Sequence, residues 1–578
     1  MGSMSSLFIG VSGLQSSQSA LNTTAHNLTN VDTIGYSRQQ VLLKDTMYQS
    51  LKMGHVSLNQ VGFGVSVDLV RQVREVFLDK AYRMEAGRQG FYVAQNSATE
   101  EIENIMGELQ GVAYQDSMKK LWNTTQELVK ESDSDVKRAT FVQTAVSFLE
   151  RAQLVSEQME NYQVNLNIEI QTTVDKINEI GRKIKKLNDE IVLHESSGVE
   201  NANDLRDTRN VLLDELGRYV KISYKENEDG RVTVNIEGVQ FVSEDSVNRM
   251  GTQKIQSNSE MLEPIWPSFE NQKVYKENQS YSSNDDTDVG YLKGLIIARG
   301  IKKANYTDIP IRENYTSEKD YENAVDVFNS TINTSIITST ESFFDNLIHG
   351  IVTKINDILC PNKDYTYTDV NGVEQTITIL DEDTAGVGMG EGNEIAGTEL
   401  FSRKDCPRYT EQTIELFGGS TVTVKVYNKE DPTVTETQYT LSQLQVNEKV
   451  LNNVSLLPLS DKDAPNEYSA RICDELSQCW NDDFATLGPN VTEKNSFMEY
   501  YTAMIGEIGT RGNTFDKVAT DQEKMTASLD SRRNAVSGVS SDEELTKLIK
   551  YQHAYNASAR YVNAVSEMLE HIINSFFR

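Results

Sequence analysis

The sequence predicts an α+β multidomain fold in which a terminal α-helical coiled coil and a long-helix stem carry inserted, mostly-β lobes. The chain has 578 residues, which is enough for three or four domains of ordinary size. All nine prolines lie between Pro264 and Pro489, and proline disrupts helix interiors. Both proline-free ends are therefore predicted to be helical, and the middle is predicted to be more irregular.

The N-terminal helix is predicted to run from about residue 5 to residue 29. Its leucines recur every seven residues, with Val11 and Ala25 between them, which is the spacing of an apolar seam on one helix face. These leucines are Leu7, Leu14, Leu21 and Leu28. Because most other residues are Ser, Gln, Asn and Thr, this helix would be marginal alone and requires a partner.

The C-terminal helix is predicted from about residue 542 to residue 574. Ser541 and Glu544 have the spacing of a capping box. A stripe with three-four spacing follows, formed by Leu545, Leu548, Gln552, Tyr555, Ala559, Val562, Leu569 and Ile573. We expect the two chain ends to pair as a coiled coil. The alternative is that each stripe packs against its own local domain.

The stem is predicted from further long helical segments. Residues 76–110, 117–130, 136–195 and about 325–359 are expected to be helical, and another long helix is expected from residue 496. The segment 136–195 could approach about 90 Å in length, with a possible break at Gly181, its one glycine.

The middle of the chain is predicted to be mostly β. Asp229-Gly230 and Asn371-Gly372 have the form of hairpin turns between alternating segments. The stretches STVTVKVYN and TVTETQYTLSQL are predicted to add two strands. The predicted domains are a terminal coiled-coil core (4–60 and 541–578), a long-helix stem (61–220, 321–360 and 490–540), a mostly-β lobe (221–320) and a second β-rich lobe (361–489).

Composition argues against several classes of function. The net charge of −31 opposes nucleic acid or an anionic membrane as the main partner, because phosphate binding depends on Lys and Arg. The chain has no apolar run long enough for a membrane span, and its first twenty residues lack the pattern of a cleaved secretion signal.

No catalytic, cofactor-binding or metal-binding residues are predicted. His194-Glu195 lacks the second histidine of a zinc-protease helix. The four cysteines, Cys360, Cys406, Cys473 and Cys479, do not have zinc-site spacing and are expected to be free thiols or to form one incidental disulfide.

Motifs at both ends resemble those of the bacterial flagellar rod, hook and hook-associated proteins. The stretch GVSGLQSSQSALNTTAHNLTNVDTIGYSRQQVLL matches the family's N-terminal motif at Asn27, Asn30, Thr33, Gly35 and Tyr36. The family usually has Pro at the position of Ile34 and often Asn at that of His26. At the C-terminus the matches are Ser537-Gly538-Val539, Asp542-Glu543-Glu544, Tyr551-Gln552, Tyr555, Ala557, Ala559 and Met568.

The sequence Gly-Tyr-Ser-Arg-Gln and the stretch LNDEIVLHESSGVENANDLRDTRNVLLDELGRYV resemble the hook–filament junction members of the family more than its hook subunits. The resemblance implies a structural adaptor rather than an enzyme. The alternatives are a hook or rod subunit of the same family, or a surface enzyme or adhesin displayed through the middle lobes.

The resemblance also implies partners and a location. Copies of the chain would form a ring-like homo-oligomer between the hook subunit and a second junction protein or flagellin. The chain would reach the extracellular flagellum through the flagellar type III export apparatus, with an export chaperone and without a cleaved signal.

The turn after the first helix is expected to direct the chain out of the family's inner tube. Asn30 and Gly35 tolerate left-handed backbone, and Tyr36 can bury its ring while keeping a hydrogen bond. The expected assembly interface comprises Leu7, Val11, Leu14, Leu21, Leu28, Asn30, Gly35, Tyr36, Leu545, Leu548, Gln552, Tyr555, Val562 and Leu569.

Overall fold

The structure is a computed structural model that describes residues 2–53, 57–107, 114–196, 201–256, 259–276, 281–390 and 392–576. In chain order its α-helices are α1 (Gly2–Thr29), α2 (Val76–Met106), α3 (Tyr114–Lys130), α4 (Asp135–Glu195), α5 (Asn203–Tyr219), α6 (Tyr291–Arg299), α7 (Glu318–Thr331), α8 (Ile336–Leu359), α9 (Glu448–Asn452), α10 (Ala470–Gln478), α11 (Phe497–Ser537) and α12 (Ser541–Phe576).

Strands lie in the first hairpins and in the middle of the chain. They are β1 (Gln39–Asp45), β2 (Tyr48–Met53), β3 (Ser57–Gly62), β4 (Val65–Gln72), β5 (Ile222–Glu226), β6 (Val232–Ile236), β7 (Val239–Val242), β8 (Gly251–Lys254), β9 (Leu262–Trp266), β10 (Gln272–Lys273), β11 (Asn362–Thr368), β12 (Glu374–Leu380), β13 (Phe401–Arg403), β14 (Tyr409–Glu415), β15 (Thr421–Tyr427), β16 (Leu444–Val446), β17 (Ser460–Asp461) and β18 (Ala464–Tyr468). The predicted α+β multidomain class is confirmed.

The two chain ends form one terminal unit. Helices α1 and α12 pack antiparallel, so that Gly10 lies beside Val562 and Asn27 beside Glu544. Strands β1 and β4 pair antiparallel with a bulge after Leu42, and this ribbon also contacts α1. The predicted pairing of the ends is confirmed. The helix pair comprises only α1 and α12, however, because β1 pairs with β4 and β2 pairs with β3.

The stem consists of long helices around a shared core. Helix α4 has 61 residues and passes Gly181 without a break. Gly181 instead allows Phe241 of the first lobe to approach, because an added Cβ would lie 2.4 Å from the Phe241 ring. The segment predicted to be helical at about 325–359 contains most of α7 and all of α8. Ser335 caps α8 by accepting from the Thr338 N–H.

The lobes are built from small antiparallel sheets. One sheet has the strand order β5-β6-β7, and the predicted Asp229-Gly230 turn lies between β5 and β6. Another sheet has the order β11-β12-β15-β14. The stretch predicted as a strand at 433–444 is wrong, since it forms a 3-10 turn at Thr435–Thr437 and joins no sheet before β16. Its Gln438 amide donates to the carbonyls of Asp431 and Pro432, which closes a loop instead.

The lobes share the core of the stem. One continuous apolar cluster contains residues of α2, α4, α8 and α11 together with Phe241 of the first lobe and Phe401 and Tyr439 of the second. Helix α6 lies in the range that was predicted as the mostly-β first lobe, but it packs on α2, where Gly294 contacts the Phe91 backbone. Within the described residues, the terminal unit contributes nothing to this cluster or to the smaller one around Phe515.

Buried carboxyl groups of α8 attach the neighbouring segments to the stem. Glu341 accepts hydrogen bonds from the Ala304 backbone N–H at 3.0 Å and from the Gln163 amide at 3.3 Å. Burial raises the pKa of Glu341 to about 8, while the Ala304 hydrogen bond acts in the opposite direction. One turn later, Asp345 accepts from the backbone N–H groups of Tyr306 and Leu441.

Candidate functional site: the joint between the terminal unit and the stem

Asn27 is the centre of the joint at the exit of α1. Its side chain is buried and makes four hydrogen bonds, which is the full capacity of an amide. The nitrogen donates to the Gln39 carbonyl at 2.8 Å and to Glu544 Oε2 at 3.0 Å. The oxygen accepts from the Gln39 N–H at 2.9 Å and from the Tyr36 hydroxyl at 2.8 Å. One side chain thus connects α1, the turn, β1 and α12.

The Tyr36 ring is half-buried, as predicted, and its hydroxyl belongs to a chain of polar groups. Because that hydroxyl donates to Asn27, His26 Nδ1, 3.0 Å from it, acts as the donor to the Tyr36 oxygen. The other His26 nitrogen lies 3.6 Å from Asp204 of α5. Burial raises the pKa of Tyr36, and the Asp204, Asp207 and Glu544 carboxylates raise it further, so the hydroxyl stays neutral.

Gly35 sets how closely the turn approaches the stem. Its φ is +80°, a conformation that glycine adopts without strain. A Cβ at this position would lie 2.2 Å from Val211 Cγ2 on α5. Asn30, which tolerates left-handed backbone, does not adopt it. The Asn30 side chain instead donates to the His26 carbonyl at 3.0 Å and accepts from the Thr33 hydroxyl, which completes the end of the helix.

Charged groups join the turn to α2 and α5. The buried Ser37 N–H donates to Asp207 Oδ2 at 3.0 Å. Arg74 donates to the Ser37 hydroxyl at 3.1 Å. It also donates two hydrogen bonds to the Asp79 carboxylate, at 2.9 and 3.1 Å. Burial raises the pKa of Asp207 to about 6, although its hydrogen bonds from Ser37 act in the opposite direction.

The beginning of α12 docks on the same turn. The Arg38 N–H donates to the Ser537 carbonyl at 2.7 Å, and the Arg38 guanidinium lies 3.1 Å from Glu543. The capping box predicted at Ser541 and Glu544 is wrong, since the helix already includes Ser541 and the Glu543 N–H faces the Ser540 hydroxyl at 3.5 Å. The Glu544 carboxylate instead accepts from Asn27 at Oε2 and from Lys547 at Oε1.

Helix α11 reaches the joint through Arg533. One guanidinium nitrogen lies 2.5 Å from Asp214 Oδ2, and the guanidinium carbon lies 4.1 Å from the centre of the Tyr82 ring. The other Asp214 oxygen accepts from Arg83 at 2.6 Å. Polar contacts therefore dominate the joint, in contrast to the apolar core of the stem.

The face of α1 that contacts α12 differs from the predicted leucine seam. Small and polar residues form the contact, so that a Cβ at Gly10 would lie 2.7 Å from Val562 and a Cβ at Gly13 would lie 2.9 Å from the Ser558 hydroxyl. The buried residues of α1 are likewise small or polar, namely Gly10, Ser16, Ala20, Thr24 and Asn27. Small side chains allow two helix backbones to approach closely.

The predicted leucines lie beside this contact. Leu7, Leu14, Leu21 and Leu28 are half-buried, and Val11 is exposed. On α12, Leu548, Tyr555, Val562 and Leu569 are half-buried, whereas Leu545 and Gln552 are exposed. The single chain thus leaves an apolar stripe on α1 uncovered.

Sequence reasoning placed Asn30, Gly35 and Tyr36 in the site and omitted several residues that hold it. Asn27 was visible as a motif match, but its partner Glu544 was assigned to a helix cap. Asp207 carried no sequence signal, because its role depends on the packing of α5 against the turn.

The four cysteines do not take part in this joint. All four cysteines are free thiols; Cys360, Cys473 and Cys479 are buried, and Cys406 is half-buried. None of the described helices carries an apolar stretch long enough to cross a lipid bilayer.

Three family descriptions match the chain. Residues 7–36 match "Flagella basal body rod protein", residues 99–360 match "Flagellar hook-associated protein FlgK helical domain", and residues 532–575 match "Flagellar basal body rod FlgEFG protein C-terminal". The first and third matches cover the paired ends, and the second covers most of the stem.

Similar proteins extend the match to the whole chain. The flagellar hook-associated protein 1 of Bacillus subtilis is 25% identical and covers 99% of both chains. Its counterpart in Salmonella typhimurium is 20% identical and covers 98% of both. A solved structure of the flagellar hook junction protein FlgK from Burkholderia pseudomallei covers 79% of this chain and 100% of its own, at 11% identity and a TM-score of 0.47.

Two paired terminal helices, a helical stem and the three matched segments define the class of flagellar rod, hook and hook-associated proteins. Hook protein FlgE of Borreliella burgdorferi, another member of this class, matches only 11% of the chain, whereas the hook-associated proteins match nearly all of it. Over nearly its whole length the chain is similar to proteins named flagellar hook-associated protein 1.

Proposed function

We propose that this chain is a structural adaptor subunit that joins the distal end of the bacterial flagellar hook to the filament. The observation that carries the proposal is the division of the molecule into a terminal unit and a stem that meet through hydrogen bonds and ion pairs. The name of the similar proteins, flagellar hook-associated protein 1, supports the same role.

The mechanism that we propose is geometric. Copies of the chain assemble into a ring-like homo-oligomer, in which the uncovered apolar stripe on α1 packs against neighbouring copies. Each hydrogen bond of the joint contributes about 1 kcal/mol and can be exchanged for water. A change in the angle between the terminal unit and the stem therefore costs less free energy than it would across a packed apolar interface. Such a joint suits a subunit that lies between a curved hook and a stiff filament.

The proposed partners are the hook subunit on one side and a second junction protein or flagellin on the other. We propose that the chain is exported by the flagellar type III apparatus, with an export chaperone, and that it functions outside the cell. The net charge of −31 supports neither nucleic acid nor an anionic membrane as a partner.

The location of labelled protein on intact flagella tests this proposal. A single spot at the distal end of each hook is the expected result, and cells without the chain are expected to carry hooks but few filaments. Label along the whole hook or below it would overturn the adaptor proposal in favour of a hook or rod subunit.

A surface enzyme or adhesin displayed through the lobes predicts a different pattern. Loss of the chain would then abolish a catalytic or binding activity while filaments remained. This comparison requires the whole chain, because the lobes share their core with the stem and do not form a separable fragment.

A further inference from the structure

A cationic cleft lies beside the joint in this acidic chain. The cleft has a volume of about 560 Å³ and opens between β4, the first turn of α2, α5 and β5. Two carboxylates, Asp79 and Glu226, line it. The six cationic side chains that line it are Arg71, Arg74, Lys80, Arg206, Arg209 and Lys225. This local excess of positive charge is opposite in sign to the net charge of −31.

Three of the cations are neutralised within the chain and form the inner wall. Arg74 pairs with Asp79, and both Arg206 and Arg209 pair with Glu226. Arg209 is only 2% exposed, and its Nε has no hydrogen-bond partner among the described residues.

The other three cations form an exposed rim. Within the described ranges, neither Arg71, Lys80 nor Lys225 forms an ion pair with a carboxylate. Arg71 donates to the Gln40 side chain at 3.2 Å, and the Lys80 ammonium lies 6.0 Å from the centre of the Tyr224 ring. These charges are thus available to a partner.

We propose that the cleft receives an acidic segment of a neighbouring copy of this chain, whose carboxylates pair with the rim cations. The inference rests on the proposed function, in which identical copies lie side by side. Copies that each carry −31 repel one another, so a contact between opposite charges would favour one register over others. The neighbour can supply it, because each copy has 86 acidic residues against 55 basic ones.

The position of the cleft supports this occupant. Strand β4 belongs to the terminal unit, and α5 and β5 belong to the stem and the first lobe. A neighbour bound here would contact both sides of the polar joint. It would therefore influence the angle between the terminal unit and the stem.

Zero-length cross-linking of intact flagella tests the occupant. Two forms of the full chain, each with a different peptide tag, are produced in the same cells, and the isolated flagella are treated with a carbodiimide. The expected product is a dimer that carries both tags and contains a Lys80 or Lys225 amide to an Asp or Glu. The double variant Lys80→Arg with Lys225→Arg keeps the charges but removes the reactive amines, so filaments should be normal and this dimer should be lost.

Charge reversal supplies the functional test. Lys80→Glu with Lys225→Glu should lower filament number at least about fivefold, because like charges then meet at the contact. The matched control, Lys404→Glu with Lys449→Glu, changes the net charge equally at two exposed lysines of the second lobe and should keep wild-type filament number.

Three outcomes would overturn the proposal: no dual-tag product in the wild type, a dual-tag product that survives the arginine variant undiminished, or lysine cross-links only to another flagellar protein. Equal filament numbers in the two glutamate variants would also overturn it. Failure of the adaptor proposal is distinguishable, since the labelled wild-type chain would then be absent from the hook end.

Discussion

The Asn27 amide nitrogen lies 3.0 Å from Oε2 of Glu544, although the two residues are 517 positions apart in the chain. Both side chains are about 1% exposed. This hydrogen bond connects the last residues of α1 to the first residues of α12, beside the turn that follows α1.

Asn27→Asp should weaken this closure, because it removes two donors and places a second carboxylate beside the buried Glu544. We expect a loss of roughly 2–4 kcal/mol in local stability and a severe loss of filaments. The measurements are hydrogen exchange at α1 and α12 and the filament count. Adding Glu544→Gln restores a donor opposite the new carboxylate at position 27. It should therefore recover part of the hydrogen-exchange protection and part of the filament count. A double variant that recovers neither would contradict a direct interaction between the two residues.

Gly35→Ala should disturb the turn through both backbone strain and a clash with Val211. The positive φ alone costs about 1 kcal/mol, and the clash adds to this value. Hydrogen exchange over residues 30–39 should show the loss, and Val211→Ala should relieve only the steric part. Gly238→Ala is the matched control, since Gly238 has φ +83° but no atom within 4 Å of an added Cβ. Equal effects at the two glycines would exclude the close approach.

Leu14→Asp should prevent junction assembly while the stem and lobes remain folded. Leu14 is half-buried in the single chain, and we expect neighbouring copies to bury the rest of its side chain. A charge at such a contact costs several kcal/mol. Filament number and the presence of exported protein in the medium are the measurements, with the exposed Gln15→Asp as control. Normal filaments in Leu14→Asp would contradict the role of the stripe.

Replacing all four cysteines by Ser or Ala should leave flagellar assembly intact. The thiols are free, and Cys360 and Cys479 have pKa values raised by burial to about 12, so these two are poor nucleophiles. A thiol reagent should therefore label the half-buried Cys406 first in the native chain. If correctly exported four-cysteine variant failed to support filaments, a covalent tie between subunits would have to be added.

The stability of the stem should fall as pH rises towards 8. Glu341 has a folded pKa of about 8 against an unfolded value near 4.3, so folding takes up a proton between these values. Its contribution is full below about pH 4.3, declines as pH rises and is lost above about 8. Between pH 6.5 and 8 we expect a loss of about 1.5 kcal/mol at α8, measured by hydrogen exchange corrected for intrinsic rates. Glu341→Gln should remove the part of the pH dependence that comes from this carboxyl group. The same dependence of α8 stability on pH in the wild type and in the variant would contradict the role of Glu341.

Local patterns predicted the helices well. The absence of proline from both ends and the three-four spacing of α4 and α12 are properties of a single segment, and the structure has helices there. The Asp229-Gly230 and Asn371-Gly372 turns were also predictable, because few residues accept the backbone that tight hairpins require.

Long-range packing overruled other local signals. The leucine spacing of α1 is regular, yet Gly10 and Gly13 lie against α12. Glu544 has the spacing of a capping residue, yet it binds Asn27.

The sequence by itself determined that the chain has helical ends, a long-helix stem and the two motifs of its family, because periodicity, proline content and motif spacing are written locally. Only the tertiary structure decided which face of α1 meets α12, why Gly35 must lack a side chain and how Asp207 enters the joint. Each of these depends on atoms that are distant in the chain and adjacent in space, and a backbone approach of a few ångströms is not encoded in any single segment.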